Sequence, residues 1–169
     1  MPIQQPYQKI LTSLSRARVR YLVAGGIAMN IHGLERATHD IELIIFLERE
    51  NILRFLRVMK RLGYCPKIPV KPEEFANEKL RQSWIDEKNM VVFSFMHPKN
   101  PFEVVDVFVY HPRPFHEMFR VSKKASLSGF TVNAVGLRDM LFLKEKASRP
   151  KDEMDIRYLR NIIRKQKED

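Results

Sequence analysis

The chain has 169 residues and a single cysteine, with 30 lysines and arginines against 20 aspartates and glutamates, a formal charge of +10. That length favours one domain with a real core, and the lone Cys65 excludes an internal disulfide framework and fits a reducing compartment. No N-terminal apolar run is long enough for a signal peptide or a membrane span, so the expectation is a soluble, cytoplasmic protein with no membrane partner, drawn by its charge to nucleic acid, nucleotide phosphates or an acidic protein.

Tyr7, Ile10, Leu11 and Leu14 recur at helical spacing and predict an amphipathic helix over 7–18. The apolar run at 21–24 ends in Gly25-Gly26, a strand entering a tight turn, followed by a short helix over 27–33 that Gly33 stops. Residues 40–46 read as a strand, almost continuously apolar after its carboxylates and so buried on both faces. A helix follows over 50–62, with Gly63 as its stop, then an irregular stretch marked by Pro66, Pro69 and Pro72. Residues 90–95 and 103–110 predict an antiparallel hairpin around a Pro-Lys-Asn-Pro turn. Ser128-Gly129 marks a turn between strands near 120–127 and 130–135. Helices over 137–147 and 152–166 close the chain. The expected class is α/β (α+β): one domain over 1–169, with a mixed sheet and flanking helices in a core over about 7–135, and a helical part over about 136–169.

Several residues carry chemistry. Gly25 and Gly26 lack side chains, so backbone N–H groups there can approach a phosphate at the start of a helix; a plain turn is the alternative. Asp40 and Glu42 are two apart on a strand and leave the same face. Side by side at the start of a buried strand they repel each other and lose hydration, a cost that a hard divalent cation would offset; solvation at an exposed strand end is the other account. Asp106 interrupts a β-branched run and completes a three-acid cluster if its strand neighbours the first, or else caps a nearby backbone group or pairs with an arginine, whereas Glu103 falls on the opposite face. Lys144 extends the apolar stripe of Leu137, Met140 and Leu141, so it points inward and wants an anion. Asp152 shares a face with Ile156, Leu159 and Ile163; the two either pair, or Asp152 orients Lys144 toward a nucleotide phosphate. Arg36 and Thr38 precede the acids and could contact phosphate or cap the loop. His39 adjoins Asp40 and is either a base or a structural residue, its side chain expected to leave the other strand face. Trp84, with Arg81 and Lys88, is either a base-stacking platform or a core residue.

Together, Gly25-Gly26-Ile27-Ala28 and Arg36-Ala37-Thr38-His39-Asp40-Ile41-Glu42 resemble the signature of the nucleotidyltransferase superfamily, nearest its minimal and AbiEii-like toxin branch. In that branch two small residues follow the first strand and Arg-x-Thr-x-Asp-hydrophobic-Asp opens the next. Asp106 resembles the third acid. Lys144 and Arg149-Pro150-Lys151-Asp152, continued by Asp155-Ile156, are similar to the branch's C-terminal lysine and arginine–aspartate motif. The resemblance spans roughly residues 7–163. It implies a nucleotidyltransferase fold and transfer of a nucleoside monophosphate from a nucleoside triphosphate to an RNA (such as tRNA) or a protein. It also implies magnesium or manganese on Asp40, Glu42 and Asp106, nucleotide contacts from Gly25, Gly26, Arg36, Thr38, Lys144 and Asp152, and an antitoxin partner if the chain is a toxin. Glu42 departs from the usual aspartate. One extra methylene leaves three alternatives: a site that tolerates it, a weakened enzyme, or a nucleotide- or RNA-binding protein. An antibiotic nucleotidyltransferase is the further alternative, although its cationic acceptors fit poorly with a charge of +10.

Overall fold

A computed structural model describes residues 5–168 apart from 128 and 148, and leaves the side chains of 5, 151, 167 and 168 undescribed. Its elements run α1 (Gln5–Arg16), β1 (Tyr21–Val23), α2 (Gly25–Ile31), β2 (Asp40–Ile45), α3 (Arg49–Arg61), β3 (Cys65–Pro66), α4 (Glu78–Lys88), β4 (Val92–His97), β5 (Asn100–Phe108), α5 (Phe115–Arg120), β6 (Lys123–Leu127), β7 (Phe130–Ala134), α6 (Leu137–Ala147) and α7 (Glu153–Glu168). The strands form one seven-stranded sheet in the order β3-β4-β5-β2-β1-β7-β6. It is mixed: β2 pairs parallel with β5 and β1 parallel with β7, and the other neighbours are antiparallel.

Strand periodicity sorts the core into two layers. On one face Ile41, Leu43, Ile45, Val105, Val107, Phe93 and Phe95 meet the apolar sides of α1 and α3. On the other, Leu22, Ile44, Phe108 and Ala134 meet α2, α5, α6 and α7. β2 lies at the centre of the sheet and is covered on both sides, as its apolar run requires. Asp40 and Glu42 fall on the second face, at the end where β2 begins.

Several expectations need correction: α5 is a helix where none was expected, β6 begins at Lys123 rather than near 120, and residue 128 of the expected turn lies outside the described residues. α1 ends at Arg16 rather than at 18, because Arg18 takes a left-handed conformation (φ 54°) that ends the helix. α2 begins at Gly25, two residues before the expected start. The hairpin turn is tighter than the proline spacing suggests, with His97 paired to Asn100. The proline-rich stretch holds a short strand and a 3-10 turn over Pro72–Ala76, and is followed by α4, a helix the periodicity did not reveal. Asn77 caps α4 by accepting from the Leu80 N–H at 3.2 Å. Its Trp84 is 4% exposed and stacks on Phe93 at 5.3 Å, so Trp84 is a core residue and no surface platform. Arg81 is buried beside it and donates to the Phe75 carbonyl at 2.7 Å.

Candidate active site

The site forms where β2 and β5 run parallel in register. Glu42 stands directly opposite Asp106, and Asp40 opposite Val104. Neighbouring strands lie about 4.8 Å apart, so Asp40, Glu42 and Asp106 share one face and open into one cleft of about 470 Å³. On β4, Ser94 pairs across from Asp106 and donates its hydroxyl to Asp106 Oδ1 at 2.5 Å. Glu103 faces away, as the period of two requires, and accepts from Tyr64 (2.9 Å) and Asn100 (2.8 Å).

The two glycines are steric necessities. Gly25 sits at φ +57°, and a Cβ built on it would stand 1.4 Å from Glu42 Oε2. The Glu42 carboxylate therefore lies over bare backbone, in space that only glycine leaves open. A Cβ on Gly26 would stand 2.7 Å from the Thr38 Cβ. Thr38 in turn donates to the carbonyl and Oδ1 of Asp40, at 3.0 and 3.1 Å. The loop carrying it is pinned at both ends. Asn30 exchanges two hydrogen bonds with the Arg36 backbone, at 2.7 and 2.9 Å, and the Tyr7 hydroxyl donates to the His39 carbonyl.

Opposite the acids stands a cationic wall. Lys144, on α6, is buried as its spacing predicts. It donates to Asp152 Oδ1 at 2.9 Å and reaches Asp155 Oδ2 at 2.6 Å. Arg149 Nε meets Asp152 Oδ2 at 2.7 Å, and Arg36 pairs with Asp155. Asp152 is 1% exposed and both its oxygens are taken, so its place is behind the cations. Burial alone would raise its pKa, but the bonds from Lys144 and Arg149 outweigh that and hold it below the usual carboxylate range. Three cations thus share two buried acids, and the surplus positive charge faces the cleft.

Electrostatics set the two sides apart. Burial pushes Glu42 above the usual carboxylate range, with Asp40 and Asp106 adding repulsion that Lys144 and Arg149 only partly offset. Burial also raises Asp106, aided by Asp40 and opposed by the Ser94 hydroxyl and Lys67. Among the described residues, no three His, Cys, Asp or Glu side chains are gathered into a ready-made metal cage. Magnesium seldom uses one; it keeps several waters and is held through one or two carboxylates plus substrate phosphates. Three hard oxygen donors on one face, two of which (Glu42 and Asp106) burial and mutual repulsion hold above the usual carboxylate range, fit such an ion.

Of the sequence candidates, Asp40, Glu42, Asp106, Gly26, Arg36, Thr38, Lys144 and Asp152 line this one cleft. Gly25 adjoins it beneath Glu42. Lys67 and Ser94 also line it but were missed, since only strand pairing brings them near Asp106. The buried Asp155 was missed as the second anchor of Lys144. A larger hollow of about 990 Å³ lies elsewhere, at the start of α6. Its buried acid, Asp139, is held at two points by Arg113 (2.6 and 2.8 Å), and none of the acids above reaches it.

No family model and no curated protein matches the chain. Solved structures do. The chain is similar to LnuA, a lincosamide antibiotic adenylyltransferase solved with lincomycin bound, at 12% identity and a TM-score of 0.62 over 95% of this chain and 98% of that one. It is similar to ANT(2″)-Ia in complex with adenylyl-2″-tobramycin, at 14% identity and 0.57 over 90% and 84%. It is also similar to a protein of Thermotoga maritima classed as a nucleotidyltransferase, at 12% and 0.54 over 94% and 95%. The mixed seven-stranded sheet with its flanking helices is thus a nucleotidyltransferase fold.

Proposed function

We propose that the protein moves a nucleoside monophosphate from a nucleoside triphosphate to a hydroxyl of an RNA or protein acceptor. The observation that carries this is the in-register pairing of Glu42 with Asp106, with Asp40 on the same face of β2 and Lys144 and Arg149 lining the same cleft. Asp40, Glu42 and Asp106 would hold magnesium or manganese, which would screen the triphosphate and acidify the attacking hydroxyl. The backbone at Gly25-Gly26 admits phosphate closely, and Lys144 and Arg149 face the charge that builds on it. The acceptor oxygen bonds to the α-phosphorus, the bond to the bridging oxygen breaks, and pyrophosphate leaves. Asp106, whose carboxylate accepts the Ser94 hydroxyl at 2.5 Å and lines the cleft, would be the residue to take the acceptor proton.

Two neighbours, LnuA and ANT(2″)-Ia, are described with antibiotics, which favours a small-molecule acceptor as the second reading. The charge of +10 and the exposed Lys67 at the cleft oppose a cationic one. If Glu42 sits too far back over Gly25 to serve, the fold acts as a nucleotide or RNA binder.

The test is label transfer from each α-labelled nucleoside triphosphate, with magnesium, to total RNA, to cell protein, or to lincomycin and tobramycin. Transfer to RNA or protein that disappears in Asp40→Ala supports the proposal. Transfer to an antibiotic alone selects the second reading. No transfer to anything, with RNA binding that survives Asp40→Ala, selects the binder.

A further inference from the structure

Phe102 is 84% exposed, the highest value among the described large apolar residues. It is not stranded on a remote surface, because it lines the cleft of the three acids. Phe102 lies where the β4–β5 register shifts beside Met96 and His97, and this irregular turn brings it to the same cleft as Asp106. Lys67 lines the same cleft and is exposed. Its backbone N–H donates to the Ser94 carbonyl at 2.9 Å, on the strand beside Asp106.

These two residues enter from the side of β3, β4 and β5. The groups suited to the triphosphate, Gly25-Gly26, Lys144 and Arg149, enter from β1 and the C-terminal helices. Attack on the α-phosphorus is in line with the leaving pyrophosphate, so the acceptor approaches from the side of Asp106, Phe102 and Lys67. A bare aromatic face and a solvated cation lining one cleft are the combination that binds single-stranded nucleic acid: the base stacks and the backbone phosphate meets the charge. We propose that Phe102 and Lys67 seat an unpaired nucleobase and its phosphate at the end of an RNA acceptor. This rests on the nucleotidyl transfer proposed above and names its acceptor class.

The test measures two ligands separately with magnesium: a fluorescein-labelled single-stranded octaribonucleotide by anisotropy, and mant-ATP by fluorescence. Phe102→Ala should weaken the RNA roughly 5- to 150-fold, the range for loss of one stacked base, while Phe102→Trp holds it. Lys67→Ala should flatten the salt dependence of RNA binding by about 0.7 in log–log slope. Neither change should move mant-ATP. RNA affinity unchanged in Phe102→Ala overturns the proposal, as does an equal loss for mant-ATP, which would make the ring a seat for the donor base. Wild-type protein that binds mant-ATP but no RNA overturns the acceptor and leaves nucleotidyl transfer standing. Phe102-dependent RNA binding without any mant-ATP binding keeps the seat and removes the transfer.

Discussion

Gly25→Ala probes the join between the glycine turn and the acids. The new Cβ would stand 1.4 Å from Glu42 Oε2, 2.4 Å from its Cδ and 3.0 Å from its Cβ. The first two atoms end a flexible side chain and can swing aside, but to reach ordinary contact the carboxylate must retreat by more than about 1.5 Å. The backbone has no such escape: at φ +57° an L-residue costs roughly 1–2 kcal/mol. Urea unfolding should therefore register a loss of about 1–2 kcal/mol. Magnesium-dependent transfer should fall roughly 100-fold or more, the cost of misplacing a reacting group by on the order of 1 Å. In a Glu42→Asp background the shorter side chain gives the methyl group more room, so the same change should cost less activity. The two substitutions should couple by roughly 0.5–3 kcal/mol. Gly25→Ala protein as stable and active as the wild type, or equal losses in both backgrounds, would refute the steric link between Gly25 and Glu42.

Lys144→Ala should destabilise by roughly 3–5 kcal/mol in urea unfolding, because it leaves Asp152 and Asp155 buried and under-compensated; Arg149→Ala, with half its side chain in solvent, should lower triphosphate affinity in a calorimetric titration while costing under about 1 kcal/mol of stability. Glu42 and Asp106 have folded pKa values above their ordinary ones, so the stability they contribute is complete below those values and is lost as pH rises through the folded ones. Glu42→Gln and Asp106→Asn should thus raise the melting temperature of metal-free protein at neutral pH, and the gain should vanish below about pH 4. Expression of the wild-type chain in bacteria should arrest growth, and Asp40→Ala should relieve the arrest, if the chain is the toxin of a pair; unimpaired growth would remove that role.

Much of the site was legible because it is written in short-range periodicity. A spacing of two puts Asp40 and Glu42 on one face, and helical spacing turns Lys144 inward; both hold in the structure. Asp106 stood out as a charge within a β-branched run, yet its partnership with Glu42 depends on a parallel pairing between strands some sixty residues apart. Ser94, Lys67 and Phe102 depend on the same strand order and left no local mark. Helix α4 escaped notice because its inward residues are Trp84 and an arginine, Arg81, so no clean apolar stripe appears; the capping Asn77 was the available signal. Asp155 belonged to the run that resembles the C-terminal arginine–aspartate motif, but only the packing of α6 on α7 shows that it meets Lys144.

Asp40, Glu42 and Asp106 are proposed to form one cation site completed by a triphosphate. Manganese titrated into the protein, with the free ion followed by its EPR signal, tests this without requiring turnover or a known acceptor. A shared cation site should give weak binding by the protein alone, marked tightening when a nucleoside triphosphate is present, and loss of that tightening in both Asp40→Asn and Asp106→Asn. Manganese binding that ignores the triphosphate, or that persists unchanged in the two variants, would contradict it.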